Sequence, residues 1–339
     1  MSAADAWGRE RDGADRALRA THPVLLVNPR SGGGKASRFR LADRCRDLGI
    51  EPITLRPGDD LVDLAEAAVA RGGDLLGMAG GDGSQALVAS VAARHRVPFV
   101  VVPAGTRNHF ARDLGVGTGV VGSLSAFVDG VDVPVDLAEV NGRAFVNNAS
   151  MGVYAELVRS PGYREAKVRT AVELLPGLVG PSAAPLDLRY ALPDGERATS
   201  AQVLLVSNNP YDLSAPRHGS GRPRLDGGLL GVVSVRAPGR AEADQLAALD
   251  AAGQSRRFSG WHEWTTVELD VTSGQPVALG VDGEAVTLEA PLHFVTRPAA
   301  LVVRIARKRV RRRSVPLRAG AMGPSPFTAL SRLVAGRGA

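Results

Sequence analysis

Three short segments concentrate the residues best suited to hold phosphate. They are Asn28-Pro29-Arg30-Ser31-Gly32-Gly33-Gly34-Lys35-Ala36, Gly80-Gly81-Asp82-Gly83-Ser84-Gln85-Ala86, and Pro103-Ala104-Gly105-Thr106-Arg107-Asn108. Each follows an apolar run, and the first two open helical patterns, so backbone N–H groups of the turn and of the helix start can receive an anion's oxygens. Familiar single motifs fail. A Walker A loop needs Gly where Pro29 stands and Ser or Thr where Ala36 stands, and Gly81-x-Gly83-x-x-Ala86 lacks an acidic ribose partner at the expected distance. Taken singly, each turn reads equally well as a tight turn that needs glycine's freedom at positive φ. Together they follow strands of one parallel sheet, whose carboxyl-end turns share a crevice, and this favours a nucleotide-phosphate site. Asp82, inside the second turn, can approach a Mg²⁺ that neutralises those phosphates.

Other candidate residues carry weaker signals. Asp282-Gly283, between the apolar segments 276–281 and 284–290, has the composition of an ordinary β-hairpin turn, and Asp136 reads equally as a solvated strand-end acid or as an acid toward a metal. The six histidines show no zinc-type spacing, and Cys45 lies in a helical pattern without a catalytic partner. Trp261-His262-Glu263-Trp264 reads as core packing or a turn anchor, with an interfacial role as the alternative.

The elements that must position these residues change character along the chain. From 22 to 130, strand candidates at 22–29, 51–57, 74–80 and 98–105 alternate with helical patterns at 34–49, 59–72 and 83–96, the order of βα units on a mostly parallel sheet. After about Val131 come 131–150, 186–193, 201–209, 229–236, 265–271, 276–283, 284–290 and 299–306, with turn pairs Asp194-Gly195 and Asp282-Gly283. That texture is mostly antiparallel β. The expected organisation is a flexible N-terminus (1–21), an α/β nucleotide-binding domain (22–135), a β-rich, sandwich-like domain (136–305) and a basic tail (306–339).

Composition narrows the classes. With 339 residues, 44% hydrophobic and 22% charged, the chain is long enough for two domains and sits near the globular average. The formal charge is 41 − 35 = +6, and the run from Arg307 to Arg313 supplies all six, so no nucleic-acid-binding face spreads over the body. That run reads either as a solvated tail or as a patch drawn to anionic headgroups. Residues 1–16 lack the apolar core of a signal peptide, the longest apolar run is about half the ~20 residues a spanning helix needs, and a single cysteine suits a reducing compartment. The expected location is the cytoplasm, with peripheral contact at the inner membrane face.

Taken in order, Asn28-Pro29 with Ser31-Gly32, Gly80-Gly81-Asp82-Gly83-Ser84, Gly105-Thr106-x-Asn108 and Asp282-Gly283-Glu284 resemble the diacylglycerol kinase catalytic domain family and its bacterial soluble lipid kinases. The resemblance spans roughly Pro23 to Ile305. It implies an α/β nucleotide-binding domain and a β-sandwich-like domain with the active site between them, and a final segment returning to the first domain. It further implies ATP and Mg²⁺ as cofactors and a lipid substrate such as diacylglycerol. Asp282 matches the general base, with Glu284 beside it. Asn28, Ser31, Gly32, Thr54, Gly80, Gly81, Asp82, Gly83, Ser84, Thr106 and Asn108 match nucleotide-binding positions. Asp82 and Asp136 match the acids of a water and Mg²⁺ network. Two positions depart from the pattern. His109 stands where many bacterial members have Asp, and Gly227 replaces the second acid of an L-D-D-G stretch, leaving Asp226 alone at a structural Mg²⁺ site. These departures motivate a second reading, a nucleotide- or lipid-binding protein that has lost catalysis. A third, the related NAD kinase, shares the Gly80-Gly81-Asp82-Gly83 turn but fits the Gly105 to Leu114 stretch less well.

Overall fold

The computed structural model describes residues 17–117, 119–152, 186–213, 221–237, 239–252 and 254–307. Its first layer is a sheet in the order β2-β1-β3-β4-β16-β5-β6, made from β1 (Pro23–Val27), β2 (Glu51–Thr54), β3 (Leu75–Gly80), β4 (Phe99–Pro103), β5 (Gly130–Val140), β6 (Arg143–Phe145) and β16 (Leu292–Ala306). β1 to β4 run parallel, and β3 and β4 are buried at every position. Continuous apolar runs are what a parallel sheet covered on both faces requires. One cover holds α3 (Leu61–Ala70) and α4 (Asp82–His95), packed through Ala65, Ala68, Val88 and Val91. The other holds α2 (Leu41–Asp47) with the short helices α6 (Val120–Ser123) and α7 (Ser125–Val128), packed through Leu41, Cys45, Leu124 and Phe127.

Local chemistry sets several boundaries. The single helical pattern expected over 34–49 breaks into α1 (Lys35–Arg38) and α2 because Arg40 sits in the left-handed region at φ 48°. Asp60 caps α3, its carboxylate accepting from Val62 and Asp63 N–H at 2.7 and 3.1 Å, a device contributing about 1 kcal/mol. Burial pushes the Cys45 thiol up to about 12, so it behaves as a small core side chain. Residues 17–21 are tied to the body, with Ala17 donating to the Gly130 carbonyl and Thr21 to the Asp74 carboxylate.

The second layer is antiparallel, in the order β12-β11-β10-β7-β14-β15: β7 (Asn148–Gly152), β10 (Val203–Asn208), β11 (Leu230–Val235), β12 (Trp261–Thr266), β14 (Val277–Val281) and β15 (Glu284–Leu288). Its inner face meets β5, β6, β13 (Glu268–Val271) and β16 through Met151, Val206, Leu279, Phe145 and Phe294, with the two phenylalanine rings edge to face at 6.5 Å. Each fully buried side chain of this kind contributes about 1.5–3 kcal/mol. The outer face is covered by α8 (Arg240–Ala251), whose Leu246 joins Val203, Leu205 and Val233; the composition of 240–251 did not mark it as a helix. Trp264 of β12 stacks on Tyr190 of β8 (Tyr190–Ala191), the short strand paired with β9 (Arg197–Ala198), centroids 6.3 Å apart.

Two long strands join the layers. β5 continues through position 135, and β16 pairs antiparallel with β5 along both halves and parallel with β4 at Val303. The register shifts between Arg297 and Leu301, where Ala299 takes φ 52°. Asp136 sits opposite this bulge. Residues 1–16, Thr118, His218 and the basic run after Arg307 lie outside the described residues.

Candidate active site

The three glycine turns meet at the carboxyl edge of β1, β3 and β4. Gly105 N–H donates to the Gly80 carbonyl at 3.0 Å, and a Cβ on Gly105 would stand 2.5 Å from the Gly81 Cα. A Cβ on Gly32 would collide with the Ala104 carbonyl oxygen. Close approach, rather than turn geometry alone, therefore demands glycine at Gly32 and Gly105. Lys35, which no motif singles out, locks the first turn to the third by donating to the Gly105 carbonyl at 2.9 Å. Asn28 begins the first turn, its Oδ1 accepting from Arg30 N–H at 3.0 Å, and Ser31 follows within it. Thr54 ends β2 opposite Val27, at the same edge and exposed. Thr106 is exposed above the third turn.

Asp82 and Ser84 occupy the first turn of α4, where N–H groups have no intrahelical partner and favour an anion. Asp82 also accepts from His109 N–H and Phe110 N–H, both at 3.1 Å, and so caps α5 (His109–Asp113). Asn108 adopts φ 52° just before that helix and is only 2% exposed. Its Nδ2 donates to the Gly105 carbonyl, while its Oδ1 has no hydrogen-bond partner among the described residues. A buried oxygen acceptor of this kind is satisfied by a hydroxyl donor or a hard cation.

Asp282 and Gly283, at φ 48° and 86°, form the tight hairpin turn between β14 and β15, so the ordinary turn reading is correct as geometry. The same turn points chemistry at the cleft. Asp282 accepts from Val146 N–H and Asn147 N–H at 2.8 Å each and from Asn148 N–H at 3.1 Å. Burial pushes its carboxyl up to about 7 against those donors, and the nearby Asp82 charge pushes the same way. A Cβ on Gly83 would stand 2.7 Å from the Glu284 Cγ, so the hairpin seats on the start of α4. The second layer thus brings Asp282 and Glu284 to the phosphate-type edge of the first.

The remaining predicted acids lie elsewhere. Asp136, 2% exposed, accepts from Ala299 N–H at 2.8 Å through Oδ1 and from Asn209 Nδ2 at 3.0 Å and Gly228 N–H at 2.6 Å through Oδ2. The resemblance implies a metal role beside Asp82; in the structure the Asp136 carboxylate satisfies the bulge of β16 and the 225–228 turn. Asp226 pairs with Arg224 at 2.9 Å. At Gly227 a Cβ would meet Asn209 Oδ1 at 2.7 Å, so glycine is what this turn accommodates. Among the described residues no three His, Cys, Asp or Glu side chains form a metal cluster. What fits Mg²⁺ is narrower, namely the Asp82 carboxylate facing Asp282, whose mutual repulsion a bound cation would relieve. His109 adds no charge there. Burial holds its imidazole down to about 4, and its Nδ1 accepts from Arg112 at 2.8 Å.

Known proteins resemble this chain over most of its length. The family described as diacylglycerol kinase catalytic domain matches residues 22–140. A diacylglycerol kinase of Staphylococcus carnosus is 25% identical over 277 residues, covering 77% of this chain and 87% of that protein. A Pseudomonas aeruginosa protein named "Probable lipid kinase YegS-like" is 28% identical over 297 residues, covering 83% and 93%. The crystal structure of a diacylglycerol kinase from Bacillus anthracis superposes with a TM-score of 0.63 at 18% identity, over 85% of this chain and 98% of that one, and so shares the two-layer fold.

Proposed function

We propose that the protein is an ATP- and Mg²⁺-dependent lipid kinase that phosphorylates a hydroxyl of diacylglycerol or a related lipid alcohol. The observation that carries the reading is the seating of the Asp282 hairpin on the start of α4, which sets a carboxyl pushed up to about 7 beside three converging glycine turns. A base of that strength can take a hydroxyl proton near neutral pH as the hydroxyl oxygen attacks the γ-phosphorus and the bond from that phosphorus to the bridging oxygen breaks, releasing ADP. The turns at Asn28, Ser31 and Gly32, at Gly80 to Ser84, and at Thr106 and Asn108 present N–H groups and hydroxyls to the phosphates, with Thr54 at the edge. Mg²⁺, when bound, neutralises charge on the transferring phosphate, and Asp82 is the residue that would hold it. Glu284 lines the same entrance. The lipid enters between the layers, with the protein in the cytoplasm touching the inner membrane face. No helix among the described residues is long and apolar enough to cross a membrane.

The test is Mg²⁺-dependent transfer of the ATP γ-phosphate to a panel of lipids in mixed micelles, with Asp282→Asn as control. Transfer lost in the variant supports the reading; no transfer to any lipid overturns it. One observation favours the second reading, a binder without catalysis: His109 is neutral where a carboxylate would help hold a cation. Under that reading His109→Asp brings transfer to a silent protein. Transfer by the wild-type chain rejects it, and NAD in the acceptor panel tests the NAD kinase reading.

A further inference from the structure

Behind the cleft lies a fully buried cation that the proposed chemistry does not use. The Arg222 side chain is 0% exposed, and its pair with Asp113 is closed at 2.7 Å, Asp113 being 11% exposed. A guanidinium stripped of water costs several kcal/mol unless its donors are matched, and here the match is extensive. Nε donates to Asp113, Nη1 to the carbonyls of Val146 at 2.5 Å and Asn208 at 2.8 Å, and Nη2 to Asn147 Oδ1 at 2.8 Å. The Tyr211 ring lies under it at 5.8 Å, and the Tyr211 hydroxyl accepts from Asn148.

Three of these contacts fall on the segment that feeds Asp282. The peptide joining Val146 to Asn147 presents its carbonyl to Arg222 and its N–H to Asp282 Oδ1, so one peptide unit spans the cation and the carboxylate. Charge on its oxygen strengthens its N–H as a donor. At the other end, Asp113 closes α5, whose first N–H groups are capped by Asp82. A continuous path therefore runs from Asp82 through α5, Asp113, Arg222 and the 146–147 peptide to Asp282.

We propose that Arg222 is a positioning residue for Asp282, holding the 146–148 backbone against its carboxylate and tying that backbone through Asp113 to the helix that Asp82 caps. The inference rests on the kinase reading. It assigns a role in the chemistry to two residues, Asp113 and Arg222, to which none of the motifs gives one.

The experiment is a double-mutant cycle in the mixed-micelle assay. Arg222→Lys keeps the charge opposite Asp113, but one ammonium cannot serve Val146, Asn208 and Asn147 together. The expected result is kcat lower by about 10²-fold with KM for ATP changed less than about threefold, because a displacement near 1 Å at the reacting group suffices for such a loss. On an Asp282→Asn background the same substitution costs less than about twofold, since the group it positions is already gone. A merely structural arginine would lower turnover equally on both backgrounds, and that result overturns the proposal, as does unchanged kcat in Arg222→Lys. If Arg222→Lys fails to melt cooperatively, Asp113→Asn carries the same cycle, with an expected loss of about tenfold. Absence of transfer by the wild-type chain is a separate outcome, overturning the kinase reading and this inference with it.

Discussion

Asp136 and Asp282 each accept three N–H donors, yet they lie in different surroundings. Asp136 is enclosed by donors from three segments, Asn209, Gly228 and the Ala299 bulge, and joins the two halves of β16 to β5. Asp282 takes all its donors from one stretch, 146–148, on one side, and its other side looks toward Asp82 across the cleft. Satisfied acceptors alone therefore do not mark a structural acid. What separates the two is whether a second negative charge faces the carboxylate and whether a ligand has room to approach.

The strongest test of the contrast exchanges each acid for its amide. Asp282→Asn is expected to lower turnover by about 10³-fold, within the range for loss of a general base, while ATP binding measured by calorimetry stays within about threefold. Asp136→Asn is expected to leave kcat per folded molecule nearly unchanged and to lower unfolding free energy in urea by about 2 kcal/mol, because an amide nitrogen then faces a donor. Equal turnover losses in both variants would erase the distinction.

pH sharpens the same point. The base must be ionised to take a proton, and its carboxyl titrates near 7, so kcat/KM is expected to rise as pH increases through about 7 and to flatten above it. Below that range the group holds its proton and turnover falls. Asp136→Asn should keep this rising limb and Asp282→Asn should abolish it, as read from initial rates between pH 5 and pH 9, roughly two units either side of the midpoint.

The smallest effect concerns the turns. Gly105→Ala forces a methyl against Gly81 and is expected to weaken ATP binding by about tenfold, by separating the second and third loops. Gly33→Ala meets no atom within 4 Å, so only its φ of 74° opposes it, at about 1–2 kcal/mol, read as a lower melting temperature with ATP affinity held.

Legibility in the sequence follows the range of each interaction. Strands β1 to β4 and the turns after them are local patterns of apolar runs and glycine, and they stand where the pattern puts them. Asp282-Gly283 is legible twice, as a turn pair and as part of an ordered motif set, because its conformation is local and its role shows only beside distant motifs. Asp113 and Arg222 meet across 109 positions, and nothing in the periodicity around either one signals a partner. The bulge at Ala299 is equally silent, since an alanine at positive φ is stabilised by an acid 163 positions away. Helix α8 turns Leu246 and the half-buried Leu249 to the core in a segment otherwise made of alanine, charged and polar residues, so its amphipathic signal is faint.

The place of β16 in the sheet has a consequence for biosynthesis. The strand beside β4 is the last in the described chain, so during translation β1 to β4 wait with an open, fully apolar edge until residues near 306 leave the ribosome. An exposed edge of that kind invites pairing with another chain, and closing it over some two hundred residues is slow. Residues 22–140, the stretch that matches the catalytic domain, are accordingly not an autonomous folding unit: expressed alone they should collect in the insoluble fraction, and supplying 260–307 in trans should recover part of them.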